Sequence, residues 1–185
     1  MKPSTWLVPM FLTTVLLHAA AAAAPPTASG WREDIDLLVT KIERYHPRPW
    51  ARISRGEFLA RADSLKQSLG AWEQERTFLE TKKLVASLED GHTEVLFTNQ
   101  ERFNLWFPVR IERFSDGVFL TAADSLHADF LGGRVARIGA VDADEAFRRV
   151  AEIVPRDSAH GVDRFATDYL ANAVILKQLA VIDDE

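Results

Sequence analysis

The first part of the chain carries apolar residues at helical spacing. Between Trp31 and Tyr45, apolar residues recur every three or four positions with charged residues between them, which predicts an amphipathic helix. The two prolines of the following sequence, HPRPW, end that helix. A second helix is predicted to begin at Ser54, because Glu57 stands three residues later and completes a capping box. A third helix is predicted to begin near Thr77, with an acid again three residues on.

After these helices the apolar residues follow a period of two, which predicts strands. Val95 and Phe97 alternate with polar neighbours, as do apolar residues in the sequence FPVRIERF. The dipeptide Asp116–Gly117 predicts a hairpin with a tight turn at positive φ angles. Residues 134–138 predict another strand, and a helix is predicted from about Asp144. The tail beyond that helix predicts one or two more helices.

This order of elements predicts the α+β fold class, with a bundle-like helical cap followed by a small β-rich region and flanking helices. The predicted segments are a signal peptide over 1–24, a loose leader over 25–30, a helical cap domain over 31–90, a β-rich region over 91–155 and further helices over 156–185.

The N-terminus has the layout of a secretory signal peptide. Lys2 precedes an apolar run from Trp6 to Leu17, and the alanine tract that follows offers A-x-A cleavage sites. The apolar run is short for a membrane span, so we expect cleavage near Ala24; an uncleaved membrane anchor is the alternative. Cleavage predicts an exported protein, either periplasmic or extracellular, with no membrane association afterwards.

Composition narrows the classes of function. The chain is 47% hydrophobic and 26% charged, and its net charge is -5, which is typical of a globular protein that can fill a core. No cluster of lysine and arginine stands out, so a nucleic-acid partner is not expected. The chain has no cysteine, so its core must hold it together without disulfides.

Several enzyme signatures are missing from the sequence. It contains no G-x-S-x-G elbow, no H-E-x-x-H zinc pair, no phosphate-cradling glycine loop and no dinucleotide fingerprint. No two histidines stand at metal-ligand spacing with a carboxylate, so we expect neither a metal ion nor a cofactor. The histidines are His18, His46, His92, His127 and His160.

His92 is the strongest candidate for chemistry. It follows the helix-breaking dipeptide Asp90–Gly91 and precedes Thr93, at which a strand is predicted to start. A rigid junction of this kind is a useful place for a general base, since its geometry must be fixed. The strand alternation predicts that the His92 ring faces the surface. The alternative is a structural histidine, whose ring fills a groove while Asp90 caps the helix end.

Three motifs, in the order LVASLEDGHTEVLF, WFPVRIERFSDGVFLT and LGGRVARIGAVDADEAFRRVAEIVP, resemble the N-terminal half of the tail-specific (carboxy-terminal processing) serine peptidases. The similarity is closer to the tricorn-like branch, which includes the interphotoreceptor retinoid-binding proteins, and it covers most of residues 31–185. It implies a PDZ-like region over 91–155 and makes His92 the general base to a serine. The preceding position is often serine in that branch and is Gly91 here, so any hydroxyl role there is lost.

The resemblance also implies what lies outside the matched part. The family's nucleophilic serine, its oxyanion hole and a further acid belong to a β/α domain that follows the PDZ-like part. No segment of this sequence matches that domain, and residues 156–185 would begin the connection to it. Because a base without a nucleophile cannot perform acyl transfer, we expect the chain to be the non-catalytic portion of a peptidase that hydrolyses peptide bonds.

A PDZ-like region would bind a polypeptide substrate or a C-terminal peptide by strand addition. The segment Phe130, Leu131, Gly132 and Gly133 would then accept the peptide carboxylate; an ordinary turn is the alternative. Two other functions stay open. One is a free-standing exported module that binds a peptide or an apolar ligand without catalysis, and the other is a purely structural exported domain.

Overall fold

A computed structural model of the chain describes residues 26–96 and 100–183. Within these ranges it contains six α-helices and two antiparallel pairs of strands, which confirms the predicted α+β class. Two short 3-10 turns accompany them, Gln100–Phe103 and Ala128–Phe130. The helices are α1 (Ala28–Tyr45), α2 (Arg55–Ser68), α3 (Gln74–Ala86), α4 (Ala143–Ala151), α5 (Ala159–Tyr169) and α6 (Ala173–Gln178), and the strands are β1 (Val109–Phe114), β2 (Gly117–Ala123), β3 (Arg137–Ile138) and β4 (Val141–Asp142).

The first hydrophobic core lies among α1, α2 and the second half of α3. Ser54 caps α2 as predicted, because its Oγ accepts the N–H of Glu57 at 3.2 Å. Phe58 is fully buried, and Trp50 packs on it with ring centroids 5.5 Å apart. The buried residues of this core are Ile35, Ile42, Ile53, Phe58, Ala62, Leu65, Leu69, Leu84, Val85 and Leu88.

Helix α1 begins earlier than the sequence predicted. Thr27 is its N-cap, and the Thr27 Oγ1 accepts the N–H of Gly30 at 3.2 Å. Residues 28–30, which the sequence predicts as part of a loose leader, therefore form the first turn of the helix. Tyr45, predicted on the apolar face, is exposed at the other end. The predicted signal peptide over 1–24 lies outside the described residues.

Helix α3 connects the two cores. It begins at Gln74, and Thr77 lies inside it, where its buried hydroxyl donates to the Glu73 carbonyl at 3.1 Å. The helix therefore begins three residues before the predicted start near Thr77. Leu79 belongs to the second core, whereas Val85 belongs to the first. One helix thus supplies side chains to both cores.

The β1–β2 hairpin confirms the predicted hairpin but not its turn. Phe114 pairs with Gly117, so the loop is Ser115–Asp116 and not Asp–Gly. Both loop residues have negative φ, whereas Gly117 has a φ of +144°. A primed turn would need positive φ in the loop. The φ of Gly117 favours glycine at this position, and the Arg134 Nε lies 2.7 Å from the place that a Cβ of residue 117 would occupy.

The strand predicted over 134–138 is shorter, because β3 contains only Arg137 and Ile138. The residues before it pair instead with the second edge of β2. Arg134 forms a single bridge with Phe119, and the Val135 N–H donates to the Val118 carbonyl at 2.8 Å. Strand β2 is therefore occupied on both edges.

The C-terminal helices belong to the second core, which also contains the hairpin and α4. Asn172 is fully buried there and caps α6. Its Nδ2 donates to the Phe103 carbonyl at 2.6 Å, and its Oδ1 accepts the Ile175 N–H at 2.9 Å. These bonds fix α6 against the segment that leads into β1. No helix within the described ranges has the length and apolar character to cross a membrane.

Candidate functional site

The chain reverses direction after α3 at Glu89, not at the glycine. Glu89 has a φ of +52°, whereas Gly91 is not among the residues with positive φ. The Asp157 side chain lies close to Gly91, because a Cβ at residue 91 would stand 2.7 Å from the carboxyl carbon of Asp157. The loop before α5 therefore packs directly against the turn that carries His92.

His92 has a fixed backbone and a free ring. Its backbone N–H donates to the Asp90 Oδ1 at 2.7 Å. Its side chain is 93% exposed, as predicted, and its Nδ1 lies 3.9 Å from the same Asp90 oxygen. That distance is too long for a hydrogen bond. The main chain at residue 92 is thus held while the imidazole can rotate.

Asp90 is held in turn by a histidine from the end of α1. The side chain of His46 is 9% exposed, and its Nε2 lies 2.9 Å from the Asp90 Oδ2. The Arg48 backbone N–H donates to the His46 Nδ1 at 3.1 Å. Because Nδ1 accepts, the ring is neutral with its proton on Nε2, which donates to Asp90.

The hydrogen bonds of Asp90 favour its ionised form. The His92 backbone N–H has the largest effect in lowering the pKa of Asp90, burial opposes it, and the His46 hydrogen bond adds to the lowering. Asp90 is therefore a carboxylate at neutral pH, with an oxygen directed towards each of two histidines.

The strand predicted to start at Thr93 is absent from residues 93–96, and Phe97 lies outside the described residues. The segment is extended, with Thr93 and Val95 half-buried and Glu94 and Leu96 exposed, so the predicted alternation is present without a partner strand. An unpaired extended segment leaves buried carbonyls that need donors.

Lys82 supplies one of those donors. Its side chain is 1% exposed, and its Nζ donates to the Val95 carbonyl at 2.7 Å and lies 3.7 Å from the Glu94 Oε2. Burial lowers the pKa of Lys82, and Glu94 opposes that effect. The ammonium also lies 5.9 Å from the ring centre of Tyr169, whose pKa burial raises to about 12. Lys82 therefore ties the segment after His92 to α3.

An open cleft of about 370 Å³ lies beside the turn. The polar residues that line it are Arg52, Glu89, Arg156, Asp157 and Ser158. The Ser158 hydroxyl caps α5 by accepting the N–H of residue 161 at 3.2 Å. Over residues 26–96 and 100–183, no group of three or more His, Cys, Asp or Glu side chains is arranged to hold a metal ion.

The predicted carboxylate-binding segment lies elsewhere, on the surface beside β2. Phe130 and Leu131 are exposed, and Gly132 has a φ of +78°. The four N–H groups of Phe130–Gly133 donate within the chain, to the carbonyls of His127, Ala128, Leu120 and Phe130 in that order. In this conformation the segment has no free backbone donor for a peptide, so a peptide could contact only its side chains and carbonyls. Its binding role stays a prediction.

A shallow groove of about 690 Å³ adjoins that segment. Phe114 and Phe119 line it, with ring centroids 5.7 Å apart in an edge-on arrangement, and Gly132 is at its border. Phe130, two residues before Gly132, is also exposed, as is the Phe114 ring in the groove.

Sequence reasoning missed His46 and Lys82. His46 stands 44 positions from Asp90, so no local pattern links the two residues. Lys82 carries a signal that could have been used, because it stands three residues after Leu79 and three before Val85, on the apolar spacing of α3.

Comparison of the chain with protein-family models, with curated proteins and with solved structures finds no match.

Proposed function

We propose that this chain is the N-terminal portion of an exported tail-specific serine peptidase, which supplies the general base, His92, but not the nucleophile. The observation that carries the proposal is the exposed imidazole of His92 on a held backbone. Asp90 accepts the N–H of His92, and Lys82 donates to the Val95 carbonyl three residues later. Core packing does not explain a His92 side chain that is 93% exposed. A general base that meets its nucleophile only in the complete protein must have an exposed ring in this chain.

The chemistry asked of His92 is general base catalysis in acyl transfer. The neutral imidazole would accept the proton of a serine hydroxyl from another segment of the complete protein and return it to the leaving amine. This step needs a nitrogen within hydrogen-bond reach of the hydroxyl, and an exposed ring on a fixed backbone can provide it.

The complete reading frame that encodes this chain provides the test. We expect it to cleave unfolded polypeptides, and His92→Gln to lower kcat/KM on the order of a hundredfold or more. His160→Gln, which changes another exposed histidine on α5, should leave the rate unchanged. Full activity of the His92 variant would contradict the proposal.

The 185-residue chain alone tests the other half of the proposal. Without a positioned serine and oxyanion donors, most of the rate enhancement is missing, so we expect no turnover of fluorogenic peptides. Cleavage that survives further purification and is blocked by a serine-directed inhibitor would contradict this expectation.

The exposed apolar surface beside the hairpin favours a second function, a binding module for a peptide or an apolar ligand without catalysis. Because the backbone donors of Phe130–Gly133 are occupied, such a ligand would contact the side chains. Titration with apolar peptides is the test: Phe130→Ser should weaken binding, whereas Leu126→Ser, at a residue that is 84% exposed, should not. Equal binding by both variants would exclude this surface.

Export is proposed from the sequence of residues 1–24. Intact-mass measurement of the protein recovered from the exported fraction tests it, with a mature species beginning near Pro25 as the expected result. A soluble exported species that still begins at Met1 would contradict cleavage.

A further inference from the structure

Asp90 lies between two histidines and uses both carboxylate oxygens. Its Oδ2 accepts the Nε2–H of His46 at 2.9 Å, and its Oδ1 accepts the backbone N–H of His92 at 2.7 Å. The same Oδ1 lies 3.9 Å from the His92 Nδ1. A carboxylate oxygen has two lone pairs, so Oδ1 can accept a second hydrogen bond. A rotation of the exposed His92 ring would close this distance.

We propose that Asp90 is a positioning residue for His92, which accepts the Nδ1–H of the ring, and that His46 holds Asp90 in place for this task. A proton held on Nδ1 leaves the lone pair on Nε2, and a general base needs a free lone pair on a ring nitrogen. This inference rests on the proposed role of His92.

His46 is suited to hold Asp90. Its ring is nearly buried, and the Arg48 N–H on its other nitrogen fixes the tautomer that donates to Asp90. Asp90 therefore cannot turn towards His92 without losing a partly buried hydrogen bond. This arrangement keeps one oxygen, Oδ1, for the backbone and the ring of His92.

The other charged groups at the turn are directed elsewhere. The Arg156 Nε faces Glu89 at 3.9 Å, and the Asp157 carboxyl lies against the Gly91 backbone. Among the described residues, Asp90 is the only carboxylate this close to a ring nitrogen of His92. The position therefore favours Asp90 as the partner of the imidazole.

The test is the tautomer of His92, read from the nitrogen-15 resonances of the ring in the 185-residue chain at a pH where the ring is neutral. We expect the proton on Nδ1 in the unmodified chain. In Asp90→Asn, a single acceptor oxygen faces three N–H groups, two from His92 and one from His46. We therefore expect the His92 proton to move to Nε2. A proton on Nε2 in the unmodified chain, or no change in Asp90→Asn, would overturn the proposal.

His127 provides an internal reference, because its Nδ1 lies 2.5 Å from the Asp124 Oδ1. Asp90→Asn should leave its resonances unchanged, and Asp124→Asn should alter His127 and not His92. His46→Gln keeps a donor near the position of Nε2 and should preserve the His92 tautomer, whereas His46→Leu removes the donor and should weaken the preference. Loss of the preference in His46→Gln would show that His46 does not act through its donor.

Activity of the complete reading frame separates failure of this inference from failure of the proposed function. We expect Asp90→Asn to lower kcat about tenfold to a hundredfold, with KM little changed. If His92→Gln is fully active, the proposed function fails, whatever the tautomer. If His92→Gln is inactive but Asp90→Asn is fully active, the positioning role alone fails.

Discussion

The His92 turn and the Phe130–Gly133 segment are held in place in opposite ways. Side chains hold the His92 turn, with Asp90 bonded to its backbone and Lys82 bonded to the Val95 carbonyl. Backbone groups hold the Phe130–Gly133 segment, whose four N–H groups all donate to carbonyls of the same chain. The first arrangement leaves a polar ring free, and the second leaves apolar side chains free.

This difference decides what each region can offer a ligand. The His92 turn presents one exposed imidazole. Its main chain is held by the ionised Asp90 and the buried Lys82, and a fixed main chain suits a residue that transfers protons. The Phe130–Gly133 segment presents apolar surface but no backbone donors, which suits contact with apolar groups more than capture of a carboxylate.

Lys82→Ala should have the largest effect. It removes the donor of the Val95 carbonyl and a buried side-chain stem, so we expect a loss of about 2–3 kcal/mol in the free energy of unfolding. Lys83→Ala is the matched control, because the neighbouring lysine is exposed and pairs with Glu152 at the surface. Its cost should stay within about 0.5 kcal/mol. Equal costs in denaturant titrations would show that Lys82 does not anchor the segment.

Gly132→Ala tests the backbone anchor of the other segment. A Cβ at residue 132 meets no atom within 4 Å, so the φ of +78° alone makes the change unfavourable. We expect a loss of about 1–2 kcal/mol. Gly56→Ala in α2 is the control: a Cβ there also meets nothing, and the residue is helical, so alanine should stabilise the chain by up to about 1 kcal/mol. The same sign for both changes in thermal unfolding would contradict the assigned backbone strain.

Local pattern predicted most of the fold. Apolar spacing and the Ser54 cap located α1 and α2, and the dipeptide Asp116–Gly117 located the hairpin. The errors have long-range causes. The strand predicted over 134–138 is short because Arg134 and Val135 pair with β2 instead, and the segment after His92 is held by the Lys82 side chain of α3. A local sequence window contains neither partner.

The candidate site could be predicted only in part. The exposure of His92 was predicted from strand alternation, and the alternation is present, but the strand is not. What holds the segment is Lys82, together with an aspartate bonded to a histidine 44 positions away. A sequence shows that His46 and Asp90 exist; only the fold of α1 against the end of α3 shows that they meet.

The pH dependence of stability tests the Asp90 anchor with a smaller expected effect. The pKa of Asp90 lies below its ordinary value of 3.8, mainly because of the His92 N–H. Ionised Asp90 therefore stabilises the fold above that pH, and this contribution is lost as the pH falls through the lower pKa of the folded chain. Between about pH 6 and about pH 3, the free energy of unfolding should therefore fall less in Asp90→Asn than in the unmodified chain. If the free energy of unfolding depends on pH equally in both proteins, the ionisation of Asp90 does not contribute to stability.

The smallest effect is expected at His92, and His46 provides the comparison, because the two histidines flank one carboxylate. His92→Ala removes an exposed ring and keeps the backbone bond to Asp90, so the free energy of unfolding should change by no more than about 0.5 kcal/mol. His46→Ala removes a buried donor and should cost about 1–3 kcal/mol. Denaturant unfolding of both variants separates the two roles. A loss of more than about 1 kcal/mol for His92→Ala would make the ring part of the structural anchor. If His92→Ala leaves the free energy of unfolding nearly unchanged while His46→Ala lowers it clearly, the His92 ring has no structural role. A general base at this position must meet that condition.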